Sequence, residues 1–355
     1  MNQLILALDF GGTKLTAALF TEQNSTPGRQ DAKRQAERTF APSRPGAFAL
    51  TSSRRVFTPA GADAAHELDA MLALADELLA GRPPAAVGVS FGGPVDFATG
   101  IVRLSHHVRG WDSFPLRDRL AERYGAPSVV DNDANVAALG EHHYGAGRGV
   151  DDLMYITVST GVGGGWVLDG RPWRGAGGMA GEIGHTVVDS NGPLCLCGKR
   201  GCVERLASGP YMAEDYAQEQ GGVKQGARGQ GPGAREERSS PGPWNLEPGT
   251  LTGRDVAERA AAGDALATEI LLRGARALGV GIGNAANLVN PRRFVLGGGV
   301  TKAGEAWWAE VRQSAAATAL PEVTFEIVPA ALGDDAPLWG ALALAEVYLS
   351  AEWAD

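Results

Sequence analysis

The chain alternates short apolar runs with segments of helical spacing, which is the pattern of an α/β protein. Apolar runs at 3–8 and 14–21 flank a pair of glycines, so they predict two strands joined by a glycine turn. Apolar residues then recur at helical spacing over 64–80, and a buried strand over 86–91 follows. The remaining predicted elements are helices at 116–124, 133–144, 253–289 with a break near 263, and roughly 337–349, and strands at 128–130 and 293–296.

The opening pattern is repeated in the second half of the chain. A strand from Leu153 runs into Ser159-Thr160-Gly161 and Gly163-Gly164-Gly165, after which a second strand begins. This repeated pattern predicts a duplicated α/β fold with a cleft between its halves. Two regions lack core patterning: 22–54, interpreted as a long loop or ragged hairpin extension, and 219–250, a low-complexity surface insertion.

Composition and charge narrow the class of protein. A length of 355 residues predicts two domains. The formal net charge of -9 disfavours generic binding to nucleic acid or anionic membranes, because phosphate contacts need clustered positive charge. No apolar run approaches the roughly 18 residues of a membrane span, and the first ten residues lack a basic signal-peptide region. We therefore expect a cytoplasmic protein.

Glycine is enriched at the ends of the predicted strands. The chain has 50 glycines in 355 residues, about twice the usual share of roughly 7%. Clusters lie at 9–13, 159–165 and 297–299, where backbone N–H groups can approach phosphate oxygens or a flat base. Asp9 could also hold Mg2+ through water. A plain hairpin tip remains the alternative at each cluster, but three together predict one nucleotide in an interdomain cleft.

All three cysteines of the chain lie within eight positions, ten residues after a histidine. His185, Cys195, Cys197 and Cys202 supply the one imidazole and three thiolates of a tetrahedral structural zinc site. Neighbouring buried cysteines without a metal are the alternative.

An acidic residue lies where a predicted strand ends and a helix begins, in the run Asp131-Asn132-Asp133-Ala134-Asn135. A carboxylate there can accept a proton from a bound hydroxyl, which is the general-base role in phosphoryl transfer. Taken alone, the pattern favours a helix N-cap instead.

Two common nucleotide-binding motifs are absent from the sequence. No GxxxxGK[ST] occurs, and no GxGxxG follows a strand. The glycines at 279, 281 and 283 lie in a helical stretch and indicate close helix packing.

The motifs together resemble the ROK family of sugar kinases and related repressors, in the actin-like ATPase superfamily. The combination of Glu182 and His185 with CxCGxxGCxE at 195–204 is the most specific part of the resemblance. The matching segments are 9–14, 88–96, 132–135, 159–165, 181–185, 195–204 and 290–299.

The resemblance implies a two-domain actin-like, or ribonuclease H-like, ATPase fold with an interdomain cleft. Residues 1–132 with about 340–355 would form the smaller domain. Residues 133–339 would form the larger one, with the zinc loop 185–204 and the insertion 219–250. The implied activity is that of an ATP-dependent hexose kinase, with glucose and its 6-hydroxyl as the first choice. Mg2+, structural Zn2+ and a homodimer or homotetramer are also implied.

The resemblance also assigns roles to individual residues. Asp133 would be the base that takes the proton of the sugar hydroxyl, and the zinc loop would hold His185 and Glu204 in place. The implied sugar-binding residues are Gly93, His107, Asn132, Asp133, Glu182, His185 and Glu204. The implied nucleotide-binding residues are Asp9, Gly11, Gly12, Thr13, Lys14, Thr160, Gly161, Gly298 and Gly299.

Departures from the family pattern leave the sugar open. Many members carry Asn before the Gly-Trp that corresponds to Gly110 and Trp111, where this chain has His107. N-acetylmannosamine, N-acetylglucosamine and fructose are therefore alternative substrates. A non-catalytic sugar-binding regulator is a further alternative, against which the intact Asp133 and both phosphate turns argue. The repressor branch carries an additional N-terminal winged helix, whereas the hairpin here is predicted from residue 3, so repression is not expected.

Overall fold

The structure is a computed structural model that describes residues 2–23, 48–105, 108–221 and 251–350. Its strands are β1 (Leu4–Phe10), β2 (Lys14–Glu22), β3 (Phe48–Phe57), β4 (Ala86–Phe91), β5 (Val95–Asp96), β6 (Ile101–Val102), β7 (Ser128–Asn132), β8 (Leu153–Val158), β9 (Val162–Leu168), β10 (Arg171–Trp173), β11 (Arg293–Gly297) and β12 (Glu326–Pro329). Its helices are α1 (Ala64–Leu79), α2 (Leu116–Tyr124), α3 (Asp133–Tyr144), α4 (Val203–Ala207), α5 (Gly209–Gln220), α6 (Gly253–Ala261), α7 (Ala265–Val289), α8 (Glu305–Thr318) and α9 (Ala336–Ser350).

Internal contacts divide the chain into two compact units. Unit 1 comprises Met1–Asp151, Gly165–Ala180 and Ala331–Asp355, and unit 2 comprises Asp152–Gly164 and Gly181–Ala330. The predicted domains, 1–132 with about 340–355 and 133–339, stay a prediction.

Unit 1 is built on a sheet in the order β3-β2-β1-β4-β7. Strands β1, β4 and β7 are parallel, and β2 runs antiparallel to β1 and to β3. Side chains of a strand alternate between the two faces, so β1 supplies two cores. Leu6 and Leu8 pack with Met71 of α1, whereas Ile5 and Ala7 pack with residues of α3 and α9 such as Leu139. The catalytic candidates thus lie on a sheet that is buried on both faces.

Helix α9 lies against α3 and β4 with almost no side chain between the backbones. A Cβ on Gly340 would lie 1.8 Å from the carbonyl oxygen of Val136, and one on Gly88 would lie 1.9 Å from that of Ala341. Only glycine permits these contacts. Helix α3, which begins at Asp133, is therefore held closely along its length.

The second sheet has the order β10-β9-β8-β11-β12, and the boundary between the units falls within β9. In unit 2, β8, β11 and β12 are parallel. The predicted close packing at the helical glycines is confirmed, because a Cβ on Gly279 or Gly283 would lie 2.6–2.7 Å from carbonyl oxygens of α8. The predicted break near Gly263 is also confirmed, since α6 ends at Ala261 and α7 begins at Ala265.

Of the two interpretations of residues 22–54, a long loop or a ragged hairpin extension, the structure confirms the second at the end of the range; residues 24–47 lie outside the described residues. Residues 48–57 form β3, which pairs with β2 and leaves most of its side chains exposed. Its polar run Thr51 to Arg55 carries no alternation of apolar residues, so the sequence pattern did not indicate a strand. None of the helices in the described ranges combines the length and apolar character that a bilayer span requires.

Candidate active site

The first glycine turn is a tight hairpin tip between β1 and β2. The Gly11 N–H donates to the carbonyl oxygen of Lys14 over 3.0 Å, and the Thr13 N–H donates to that of Gly11 over 2.8 Å. Gly12 has φ 70°, a left-handed conformation that favours glycine. The turn leaves the Thr13 side chain exposed. The glycine turn that the sequence predicted between two strands is therefore present; that it binds phosphate stays a prediction.

Asp9 lies just before this turn as a buried carboxylate. It is 4% exposed, and the Ser90 hydroxyl donates to its Oδ1 over 2.9 Å. Burial raises the pKa of Asp9 to about 6, against the lowering effects of Ser90, Lys14 and Arg55. A buried carboxylate that is costly to ionise alone is stabilised by a nearby cation, and carboxylate oxygen is the ligand type that Mg2+ takes. Asp9 therefore fits the predicted magnesium site.

The base candidate lies at the carboxyl end of β7, where α3 begins. Asn132 is the N-cap: its Oδ1 accepts from the Ala134 N–H over 3.0 Å, and its Nδ2 donates to the Gly93 carbonyl over 3.1 Å. Asp133 is the first helical residue and is half-buried; its Oδ1 also accepts from the Ala134 N–H, over 2.8 Å. Asn132 is thus the N-cap by position, and its side chain shares the Ala134 N–H with that of Asp133. The helix N-terminus favours the ionised form of an acidic side chain placed there.

The candidate site residues of unit 1 lie at the carboxyl ends of its parallel strands. Strands β1, β4 and β7 are parallel, so Asp9, Gly93 and Asn132 all come at carboxyl ends of neighbouring strands. This edge is where open α/β sheets bind their ligands.

In unit 2, a buried glutamate supports the second glycine turn. The Ser159 N–H donates to the Gly161 carbonyl over 2.9 Å. Glu204 is 8% exposed, and its Oε2 accepts from the Val162 N–H over 3.0 Å. A Cβ on Gly161 would lie 2.8 Å from that oxygen, so a larger residue there would displace the Glu204 carboxylate. The sequence did not indicate this contact, which joins segments 42 positions apart.

The glycine cluster after β11 lies beside this turn, because β8 and β11 are paired in parallel. Gly298 has φ 90°, and a Cβ on it would lie 2.4 Å from the Val158 carbonyl oxygen. Among the residues that the structure describes, only Ser159 Oγ, at 3.8 Å, comes within 4 Å of a Cβ placed on Gly299. Ser159, Thr160 and Gly299 are exposed residues at the carboxyl ends of these two parallel strands, where open α/β sheets bind their ligands.

The predicted zinc ligands come together in unit 2. Ligand atoms of His185, Cys195, Cys197 and Cys202 all lie within 4.8 Å of one another, and the sulfurs of Cys197 and Cys202 are 3.5 Å apart. The loop turns at Gly201, where φ is 63° and a Cβ would lie 1.7 Å from the Asp189 carbonyl oxygen.

One observation tests whether these residues fit a metal. The Nδ1 atom of His185 is buried and has no hydrogen-bond partner among the residues that the structure describes. A buried polar atom without a partner is costly, and a metal ion would satisfy it. Burial raises the pKa of the Cys195 and Cys202 thiols, whereas a bound dication would favour their thiolates. The donor set and the orphaned nitrogen both fit zinc.

Of the other predicted sugar-binding residues, Glu182 lies in unit 2 and His107 lies outside the described residues. Glu182 is exposed and precedes the single helical turn Ile183–His185 in unit 2. A Cβ on Gly184 in that turn would lie 2.0 Å from the Val162 carbonyl oxygen, so the turn packs directly on β9.

Comparison with known proteins identifies the family. The model of the ROK family matches residues 49–347. This chain belongs to the ROK family. A glucokinase from Halalkalibacterium halodurans is 40% identical over 260 residues, which are 72% of this chain and 74% of that protein. The family predicted from the motifs is confirmed.

Solved structures confirm the predicted fold. The ROK hexokinase from Thermus thermophilus is 30% identical, with a TM-score of 0.74 and 99% of each chain covered. A ROK family glucokinase from Streptomyces griseus, solved in complex with glucose and AMPPNP, is 30% identical, with a TM-score of 0.71. It covers 96% of this chain and 99% of its own. The ROK chain described here therefore has the α/β fold of the ROK sugar kinases.

Proposed function

We propose that this ROK protein is an ATP-dependent hexose kinase that phosphorylates the 6-hydroxyl of glucose. The observation that carries the proposal is Asp133, an acidic side chain at the start of α3 whose neighbour Asn132 takes the N-cap. Relatives named glucokinase, and one solved with glucose and an ATP analogue, support the same reaction.

Asp133 is proposed to take the proton of the sugar hydroxyl as that oxygen attacks the γ-phosphate. An ionised carboxylate at a helix N-terminus is available as a proton acceptor at neutral pH. Asn132 Nδ2 carries two hydrogens, of which one goes to Gly93, so the other can donate to a sugar hydroxyl. The proposed sugar site also takes Gly93, His107, Glu182, His185 and Glu204.

The two glycine turns are proposed to hold the phosphates of ATP through backbone N–H groups, with Thr13 and Thr160 as hydroxyl donors. Gly298 and Gly299 would lie by the adenosine. Mg2+ held near Asp9 would neutralise charge on the β- and γ-phosphates.

Zinc is proposed to have a structural role. With four protein ligands no position is open for substrate, so the ion would fix the loop that carries His185 and Glu204 rather than act as a Lewis acid. Glu204 in turn supports the turn at Val162, which links the zinc loop to the proposed phosphate site. A homodimer or homotetramer in the cytoplasm, with the domains 1–132 plus 340–355 and 133–339, completes the proposal.

The experiment is an ADP-release assay with Mg-ATP and a panel of glucose, fructose, mannose and N-acetylhexosamines. We expect glucose to give turnover well above the other sugars. Asp133→Asn should lower kcat at least about a hundredfold while leaving glucose binding, measured by calorimetry, nearly intact. No ADP release with any sugar of the panel would contradict the proposal. Near-normal turnover of Asp133→Asn would show that this residue is not the base.

A further inference from the structure

An arginine outside the proposed substrate contacts connects three segments of unit 1. The Arg174 side chain is 17% exposed, and its Nε donates to Asp131 Oδ2 over 2.7 Å. Its guanidinium carbon lies 3.5 Å from the centroid of the Phe97 ring. Its backbone carbonyl accepts from the Ala180 N–H over 3.0 Å. Arg174 thus joins the end of β7, the turn between β5 and β6 and the segment 174–180.

The carboxylate that Arg174 contacts organises the start of α3. Asp131 Oδ1 accepts from the Asn132 N–H over 2.8 Å and from the Asn135 side-chain amide over 3.3 Å. The Asp131 side chain is only 3% exposed. Both bonds act on the turn that displays Asn132 and Asp133, so the position of Asp131 sets the position of that turn.

A buried carboxylate needs compensation for the solvation that it has lost. Arg174 is the cation paired with Asp131 among the described residues. Removing one partner of a buried pair leaves an uncompensated charge, which is strongly unfavourable and causes local rearrangement. The first groups to move would be those hydrogen-bonded to the Asp131 carboxylate, which belong to Asn132 and Asn135.

The second contact of Arg174, with the Phe97 ring, lies close in sequence to a hydrogen-bond partner of Asn132. Phe97, on which the guanidinium stacks, follows Gly93 by four positions, and the Gly93 carbonyl accepts from Asn132 Nδ2. A planar guanidinium can stack on a ring and donate in its own plane at once, whereas a lysine ammonium cannot do both. The geometry therefore requires arginine rather than any cation.

We propose that Arg174 is a positioning residue for phosphoryl transfer, acting through Asp131 to fix Asn132 and Asp133. The inference rests on the proposed function and adds to it a role for Arg174 that is exerted through Asp131 and not through contact with sugar or ATP. Small displacements of a catalytic group cost large factors in rate, about a hundredfold for 1 Å. Loss of Arg174 is therefore expected to lower turnover far more than a surface substitution would.

The test uses the full chain with Arg174→Lys, Arg174→Gln, Asp131→Asn and the double variant Asp131→Asn/Arg174→Gln. Arg293→Gln is the matched control, because Arg293 is 20% exposed and also forms an ion pair, with Glu326 at the edge of the unit 2 sheet. Thermal midpoints are measured first, and kcat and both KM values are then measured well below the lowest midpoint.

We expect Arg174→Gln to lower kcat at least about tenfold and to raise the KM for glucose, with the KM for ATP unchanged. Arg174→Lys should recover only a small part of this loss, because it retains the charge without the stacked, in-plane geometry. The effects on kcat of the two single substitutions should be strongly non-additive in the double variant, since the pair acts as one unit. Arg293→Gln should leave all three parameters near wild type.

A purely structural role has a different signature. It would lower the thermal midpoint of the variants but leave kcat of the folded protein near wild type, and that result would overturn the inference. Full recovery by Arg174→Lys, or additive effects in the double variant, would also overturn it. A wild-type chain inactive on every hexose would defeat the proposed function, and this inference with it. An active wild type with unaltered Arg174 variants would defeat the inference alone.

Discussion

Replacing Asp9 with Asn should stabilise the folded protein while impairing it as a kinase. Asp9 is 4% exposed, and burial raises the pKa of its carboxyl from 3.8 to about 6. Asparagine keeps the Oδ1 acceptor for the Ser90 hydroxyl but carries no charge that must be buried.

The magnitude follows from the pKa shift. Below about pH 4 the carboxyl is protonated in both the native and the unfolded state, so its burial does not lower the free energy of unfolding through ionisation. As the pH rises from 4 to 6 the unfolded state loses the proton while the native state retains it, so the native state loses stability. One pKa unit corresponds to about 1.4 kcal/mol, so the full penalty is about 3 kcal/mol at pH 8 and roughly half of that at pH 5.

The assay is urea unfolding of wild type and Asp9→Asn from pH 5 to pH 8, without added magnesium. The exposed Asp112→Asn serves as control, with an expected change within about 0.5 kcal/mol at every pH. We expect Asp9→Asn to be more stable by about 3 kcal/mol at pH 8, and the gain to shrink toward pH 5. A variant that is no more stable at pH 8, or a gain that does not depend on pH, would refute the reasoning. The same variant should lose turnover, because its amide would no longer attract Mg2+.

Two further predictions concern the metal loop and the buried histidines. Cys197→Ala should lose the one zinc per chain expected for wild type and should bind glucose more weakly, as measured by metal analysis and calorimetry. Ser190→Ala, at an exposed position, is the control. Unchanged glucose affinity in Cys197→Ala would show that the metal loop and the sugar site are not coupled. Burial, followed by the neighbouring His142, lowers the pKa of His143 from 6.5 to about 4, so the contribution of His143 to native stability should fall as the pH drops from about 6.5 to 4, by up to about 3 kcal/mol and opposite in sign to that of Asp9. His143→Gln should flatten that part of the urea stability profile, and a variant with the wild-type pH dependence would contradict the assignment.

Local patterns in the sequence predicted much of what the structure shows. The hairpin at Gly11 and Gly12 and the start of α3 at Asp133 depend on neighbouring residues, so their turn and helix signals are readable in order along the chain. The candidate metal ligands were recognisable because cysteines are rare and all three lie together.

Contacts between distant segments could not be predicted in the same way. Arg174 and Asp131 lie 43 positions apart, and nothing in the residues around either one indicates the other. Glu204 was expected only at the sugar, whereas its carboxylate also accepts from the Val162 N–H. Both contacts depend on how strands and loops are brought together, which hydrophobic periodicity does not specify. The sequence left strand β3 open between a loop and a hairpin extension, because it is an exposed edge strand whose polar side chains carry no period of two.

The central claim is that this chain transfers phosphate from ATP to the 6-hydroxyl of glucose. The most direct measurement is an assay with glucose and Mg-ATP in which glucose-6-phosphate dehydrogenase reduces NADP+ only when the 6-phosphate has formed. We predict NADPH formation that matches ADP release one for one and that falls at least about a hundredfold with Asp133→Asn. ADP release without NADPH formation would mean that the phosphate goes to an acceptor other than the 6-hydroxyl of glucose. The absence of both ADP release and NADPH formation would contradict the claim that this chain is a glucose kinase.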